Sequence, residues 1–140
     1  MIHPSFKYGD NLKMGHFNVI DDSYVLSSGD CTIGNNVILR YQSVIARNVI
    51  IEDDVFFTAG VKLIFLTHNR SVTEDPLIIG RGCFLGDNAV IMGGVKIAPY
   101  CVIGACAFVN KDTEPNGVYI GIPARRVRDV TREEIESQKN

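Results

Sequence analysis

A six-residue period runs through most of this 140-residue chain. Large apolar residues stand at Ile33, Leu39, Ile45, Ile51, Phe57 and Leu63, and again at Ile79, Leu85, Ile91, Ile97, Ile103 and Val109. A looser run, Tyr8, Met14, Ile20 and Leu26, precedes them. The next residue is often small or acidic: Gly34, Ala46, Glu52, Gly80, Gly86, Ala98, Gly104. Four places after the apolar residue stands another small or apolar one, as at Val37, Ser43, Val55, Val61, Cys83, Ala89, Cys101 and Ala107. A helix repeats every 3.6 residues and a strand every two, so neither alone holds a frame of six. β-Branched residues are abundant, which favours extended backbone. Each hexapeptide therefore reads as a short extended piece and a bend. Asn35-Asn36, Asp53-Asp54 and Asp87-Asn88 fall at the bends, and Asn and Asp tolerate the left-handed backbone of a tight corner. Three hexapeptides close a triangular coil, and coils stack as parallel strands about 4.8 Å apart. The pattern predicts an all-β parallel β-helix, with Ile79 over Ile97, Leu85 over Ile103, Ile91 over Val109 and Cys83 over Cys101. The period leaves the hand of the coil open, and general crossover statistics favour the right hand.

Two stretches leave the frame. Residues 69–78 form an excursion loop at one corner, and long excursions from a compact repeat are often functional. Thr131-Arg-Glu-Glu134 matches a capping box, which predicts a helix over Val130–Lys139. Asp112–Val130, with Pro115, Gly117, Gly121 and Pro123, reads as a connector. The expected organisation is a repeat domain with its connector over 1–129 and a short helix over 130–140.

Composition limits function. With 46% hydrophobic and 21% charged residues the chain is globular, and a net charge of −2 gives no field for polyanions. Nucleic acid is not an expected partner. No apolar run has the length of a membrane span, and Met1–Asn11 has no signal-like apolar core. Cys31, Cys83, Cys101 and Cys106 show no CxxC pair and no Cys/His metal spacing. They read as reduced thiols in a cytoplasmic protein that touches no membrane.

Side chains alternate along a strand, so the residue before each large apolar one faces out. One outer column then holds Ile38, Phe56, Phe84 and Val102. Such an exposed stripe marks self-association, unless the excursion or the C-terminal segment covers it. Another column holds Ile50, His68 and Lys96, which places His68 outward at the mouth of the excursion. An imidazole with an ordinary pKa near 6.5 suits general-base work; position alone equally allows an idle loop histidine. His3 and His16 lack ligand partners at metal spacing and read as structural or solvated. Cys106 lies near an outward corner, either as a reactive thiol or as an inert small residue. Lys111, Arg125, Arg126 and Arg128 form a basic cluster, suited to phosphate or simply solvated. No P-loop, GxGxxG, GxSxG or HExxH motif is present.

On these residues the chain resembles the left-handed β-helix hexapeptide-repeat acyltransferases, above all the sugar acetyltransferases of galactoside, maltose, O-antigen and capsule type. The repeat covers most of the chain. Thr67-His68 matches the family's Thr-His pair before a loop. The run IGRGCF-LGDNAV-IMGGVK-IAPYCV follows, then Ile103-Gly-Ala-Cys-Ala-Phe-Val-Asn-Lys-Asp112 and a closing Gly121-Ile-Pro-Ala-Arg-Arg-Val-Arg128 turn. The resemblance implies the left hand, a homotrimer, and acetyl-CoA as cosubstrate in the groove between neighbouring subunits. It implies His68 as the general base that takes the acceptor's proton, with a backbone N–H stabilising the oxyanion. It places Asp87 and Ala105 on the pantetheine arm, Lys111, Arg125 and Arg128 near the CoA 3′-phosphate, and Tyr41, Gln42 and Asn69 toward the acceptor.

Some positions depart from the family pattern. Cys106 stands for the usual Gly, Asn110 stands for Thr, and an acceptor-holding Asn of an earlier coil has no equivalent. The opening Met1-Ile-His-Pro-Ser5 looks like acetyltransferases of nucleotide-linked amino sugars, several of which carry Asn-Asp in place of Thr-His. The acceptor is thus a nucleotide-linked amino sugar or a sugar hydroxyl, in surface-polysaccharide synthesis. The competing readings are a non-catalytic β-helix scaffold and a metalloenzyme like the gamma carbonic anhydrases. The second needs three converging histidines, and His68 has no companions at stackable positions.

Overall fold

The computed structural model describes residues 1–9, 11–25, 30–64 and 74–138. They wind into five coils, each built of three very short strands. The first coil has β1 (Leu12–Met14), β2 (Val19–Ile20) and β3 (Tyr24–Val25); the second has β4 (Cys31–Ile33), β5 (Ile38–Leu39) and β6 (Val44–Ile45). The third has β7 (Val49–Ile51), β8 (Phe56–Phe57) and β9 (Lys62–Leu63). The fourth has β10 (Leu77–Ile79), β11 (Phe84–Leu85) and β12 (Val90–Ile91), and the fifth β13 (Lys96–Ile97), β14 (Val102–Ile103) and β15 (Phe108–Val109). β16 (Gly117–Gly121), β17 (Ala124–Asp129) and α1 (Arg132–Gln138) follow.

Strands of successive coils pair in parallel into three sheets. Sheet I runs β1-β4-β7-β10-β13, sheet II β17-β16-β14-β11-β8-β5-β2 and sheet III β15-β12-β9-β6-β3. The register is the stacking expected from the period: Ile79 on Ile97, Leu85 on Ile103, Ile91 on Val109. The stacked apolar residues fill the axis. Leu39, Ile45, Ile51, Phe57, Leu63, Ile79, Leu85, Ile91 and Ile103 are wholly buried, as are Val37, Val61, Cys83, Ala89 and Cys101. The core is a column of side chains from all three sheets, and burial accounts for most of the stability of strands this short. Burial also pushes the Cys31 thiol up to about 12 and raises that of Cys83. Cys83 Sγ donates to Ala98 O and Cys101 Sγ to Glu114 O, each at 3.1 Å.

The corners follow the sequence too. Asn36, Asp54 and Asn88 have φ near +60°, the left-handed conformation anticipated for them, and Cys106 shares it. Side chains cap backbone donors of the neighbouring coil: His16 N–H donates to Asn35 Oδ1 at 2.8 Å, Asn35 N–H to Asp53 Oδ1 at 2.8 Å and Ala59 N–H to Asp87 Oδ1 at 3.0 Å. At Gly86 a Cβ would lie 2.7 Å from the Ala105 backbone nitrogen, so the coils approach too closely there for any side chain.

Five sequence expectations change. The excursion rejoins the frame at Leu77, because Leu77, Ile78 and Ile79 pair with Val49, Ile50 and Ile51; the loop 69–78 therefore ends before Leu77. Ile78, directly before the inward Ile79, takes the outward place between Ile50 and Lys96 that the frame had given to His68. In the first coil Val25, not Leu26, pairs with Ile45, because the step from Ile20 is five residues there instead of the regular six. Residues 117–129 form not a bare connector but an antiparallel ribbon that extends sheet II, joined through a cis Ile122-Pro123 bond. The predicted capping box is made reciprocally: Thr131 N–H donates to Glu134 Oε1 at 3.1 Å and Glu134 N–H to Thr131 Oγ1 at 3.2 Å. The helix begins at Arg132 rather than Val130. Among the described residues no helix is long and apolar enough to cross a membrane.

Phe57 is the largest fully buried side chain, in the middle coil. Phe57→Ala is expected to cost about 3–5 kcal/mol of stability in denaturant unfolding. A loss below about 1 kcal/mol would mean that the axis is not close-packed.

Candidate functional site

The corner between sheets II and III runs the length of the stack as one edge. It carries, coil by coil, Asp22, Tyr41-Gln42, Ala59-Gly60, Asp87-Asn88 and Ala105-Cys106. Backbone bonds hold these corners in file: Gly60 N–H donates to Tyr41 O at 2.8 Å, Asn88 N–H to Ala59 O at 2.9 Å and Cys106 N–H to Asp87 O at 2.8 Å. Asp87 and Ala105, assigned to the pantetheine arm, are therefore vertical neighbours, both exposed. Asp87 spends Oδ1 on Ala59 N–H, so its other oxygen is the one open to a ligand. The Ala105 N–H has no acceptor among the described residues. Tyr41 is 59% exposed on the same edge, and Gln42 is exposed beside it.

The ribbon caps this edge. Ile120 of β16 covers Gly104 and pairs with Arg125 of β17. Arg125 is exposed and has no ion-pair partner among the described residues. The other cluster members differ. Arg126 sits 6.0 Å over the Tyr119 ring, reaches the carbonyls of Glu114, Pro115 and Asn116, and pairs with Asp129 at 2.7 Å. It ties the ribbon together. Arg128 holds Glu134 with both terminal nitrogens, at 2.6 and 3.3 Å, and so locks α1 to the ribbon. Arg128 with the Thr131 cap pulls the Glu134 carboxyl down to about 2. The four cations are thus not equivalent. Arg125 and Lys111 are unpaired among the described residues, while Arg126 and Arg128 serve the fold. The sequence shows the charges but not their acidic partners: Asp129 is adjacent to Arg128, and Glu134 looks like a helix cap only.

Lys111 lies at a different corner, between sheets III and I, after β15. The excursion leaves from that corner, since the described chain ends there at Ile64 and resumes at Glu74. His68 and Asn69 lie outside the described residues, as does Thr67. Of the expected site residues that are described, Tyr41, Gln42, Asp87, Ala105 and Arg125 fall on the sheet II–III edge and Lys111 on the sheet III–I edge, while Arg128 lies over sheet II, opposite Val118. One hexapeptide separates these edges, at most about 20 Å of extended chain.

Ile38, Phe56, Phe84 and Val102 do stack in one column on sheet II, with Phe56 and Phe84 rings 5.4 Å apart. They line a groove of about 550 Å³ whose rim includes Arg40, Glu134 and Ser137. The C-terminal helix thus borders the stripe and leaves its side chains half-buried. Among the described residues no group of three His, Cys, Asp or Glu side chains is set to hold a metal ion.

Residues 76–111 match the family described as Bacterial transferase hexapeptide (six repeats). The chain is 34% identical over 131 residues to galactoside O-acetyltransferase of Escherichia coli K12, covering 89% of this chain and 57% of that protein. It is 32% identical over 109 residues to serine acetyltransferase of Buchnera aphidicola, covering 76% of this chain and 39% of that one. The chain spans about half the length of these curated relatives. Among solved structures, a point mutant of AntD, an N-acyltransferase from Bacillus cereus in complex with dTDP and coenzyme A, superposes with a TM-score of 0.84. That match has 17% identity and covers 99% of this chain and 84% of that one.

The Glu134 carboxylate is held below its ordinary value, so its contribution to the α1 lock is complete above about pH 4.5 and lost as pH falls through about 2. Carboxyl-carbon NMR should show Glu134 titrating near 2, and near its ordinary value in Arg128→Ala. A Glu134 midpoint unmoved by that change would remove the lock.

Proposed function

We infer that this hexapeptide-repeat protein is an acetyltransferase that uses acetyl-CoA as its acyl donor and a sugar as its acceptor. The observation that carries the reading is the edge between sheets II and III, which lines up a carboxylate oxygen at Asp87, an N–H at Ala105 and a cation at Arg125, each without a partner among the described residues. An extended amide-bearing arm ending in phosphates meets a complementary group at each of these points. The relatedness to galactoside O-acetyltransferase and the coenzyme A held by a protein of the same fold point the same way. Asp87 and Ala105 hold the pantetheine arm, Arg125 and Lys111 meet the phosphates, and Tyr41, Gln42 and Asn69 face the acceptor. Arg128 joins them only by releasing Glu134.

Sites split between two edges suit a site built from two copies, in which one subunit's sheet III–I edge faces another's sheet II–III edge. The apolar stripe on sheet II then closes against a neighbour, and a homotrimer completes three such grooves. His68, in the excursion, is the general base. It takes the proton from the acceptor hydroxyl or amine as that atom attacks the thioester carbonyl, and the negative oxygen of the tetrahedral intermediate is met by a backbone N–H. Collapse expels the CoA thiolate, which leaves as the thiol. Surface-polysaccharide synthesis in the cytoplasm is the setting this chemistry fits.

Thiol release from acetyl-CoA against a panel of glycosides, nucleotide-linked amino sugars and serine tests the reading. Turnover of a sugar is expected; turnover of serine alone would overturn the sugar assignment. His68→Ala is expected to lower kcat about 10²–10⁴-fold with CoA affinity unchanged, and an unchanged rate would remove the base. Arg125→Ala is expected to weaken CoA binding about tenfold without affecting binding of a donor analogue that lacks the nucleotide.

A further inference from the structure

We propose that a bulge at Val127 sets which arginine of the ribbon meets the donor's phosphates, and that Arg126 is the positioning residue that holds this register. The proposal rests on the acetyltransferase reading, in which Arg125 binds phosphate, and adds what directs Arg125 there.

β16 and β17 start as a regular antiparallel pair, with Gly117 on Asp129 and Val118 on Arg128. The next pair is Tyr119 with Arg126, so Val127 has no partner and the ladder slips by one residue. Paired residues share a face of the sheet, and successive residues alternate between faces. Tyr119 stacks on Ile103 and faces the core. Without the slip Val127 would lie opposite Tyr119, over the end of the apolar column. Arg126 would lie opposite Ile120 on the outer face, and Arg125 would turn inward opposite Gly121. The slip reverses all three. Arg126 lies over the Tyr119 ring, Arg125 lies opposite Ile120, and Val127 is left 54% exposed. Arg125 and Arg128 thereby share the outer face.

This arrangement runs against hydrophobicity, which favours covering the valine and leaving the guanidinium in water. Such breaks of a local rule fall at functional sites, where something else compensates them. Arg126 is the compensation. Its guanidinium sits 6.0 Å over the Tyr119 ring, reaches the carbonyls of Glu114, Pro115 and Asn116 at 3.3 to 3.4 Å and pairs with Asp129 at 2.7 Å. A planar five-donor fork meets all of these at once, which an ammonium cannot. Tyr119 is fixed in turn, because its hydroxyl oxygen accepts the Glu114 N–H at 2.8 Å. At Gly117 a Cβ would lie 2.6 Å from Arg126 Nη1 and 2.7 Å from Tyr119 Cε1, so the packing leaves no room for one. The Arg126 charge is thus satisfied within the ribbon, on the face away from Arg125. What it gives the site is the direction of Arg125, at the edge where Ile120 covers Gly104.

Calorimetric CoA binding to the full chain tests this in a double-mutant cycle with Arg125→Ala. Arg126→Ala is expected to weaken CoA binding about tenfold where Arg125 is present, and by no further factor in the Arg125→Ala chain. Turnover of acetyl-pantetheine, which has no nucleotide, should stay unchanged. Arg126→Lys keeps the charge without the fork and should bind CoA as weakly as Arg126→Ala. Gly117→Ala displaces the guanidinium with no change of charge and should give the same loss, again only where Arg125 is present. Thermal melting checks folding; if Arg126→Ala does not fold, Arg126→Lys and Gly117→Ala carry the test. Losses that multiply in the double variants, or full affinity in Arg126→Lys, would mean that Arg126 meets phosphate itself and would overturn the proposal. Unaltered CoA affinity in the folded Arg126 and Gly117 variants would overturn it too. Failure of the wild-type chain to bind CoA would overturn the acetyltransferase reading, and this positioning role with it.

Discussion

Everything in this molecule depends on keeping successive coils one strand spacing apart. Parallel strands of two or three residues are too short to persist alone, so each is held by its vertical neighbours and by the apolar column behind it. That spacing dictates the corners. A chain turning every six residues needs a left-handed residue at each bend, and its backbone donors need acceptors within one spacing. Asn36, Asp54 and Asn88 supply the first, while the Oδ1 atoms of Asn35, Asp53 and Asp87 supply the second. The same close approach forbids a Cβ at Gly86.

Function follows from the same geometry. Stacking puts residues far apart in sequence on one vertical edge, so a ligand lying along the stack reads one corner from each coil. Asp87 shows how one residue serves both needs, with one carboxylate oxygen capping a neighbouring coil and the other facing out. Arg126 and Arg128 show the opposite case. Each is spent on holding the ribbon and α1, which leaves Arg125 and Lys111, of the four expected phosphate cations, without an ion pair among the described residues.

The repeat made the axis legible, because a period of six permits one placement for each large apolar residue, and the observed pairs agree with it. The stripe from Ile38 to Val102 and the capping box were legible for the same reason: each follows from local spacing. The period could not carry across the excursion. There the frame gave His68 a place that Ile78 takes, since hydrophobic spacing does not say where a loop rejoins its coil. The ribbon after β15 was hidden by its Gly and Pro content, which reads as a connector when the strand it pairs with is not known. The frame is loosest in the first coil, where the hydrogen bond from Ser5 Oγ to Asp22 Oδ1 joins residues that only the fold brings together.

The central claim is that the sheet II–III edge is the donor groove. Backbone NMR of the full chain titrated with CoA addresses it most directly. The account predicts shifts concentrated at Asp87-Asn88, Ala105-Cys106 and Ile120–Arg125. Shifts confined to the sheet I–II edge, around Asp53, Arg81 and Tyr100, or no binding at all, would contradict it.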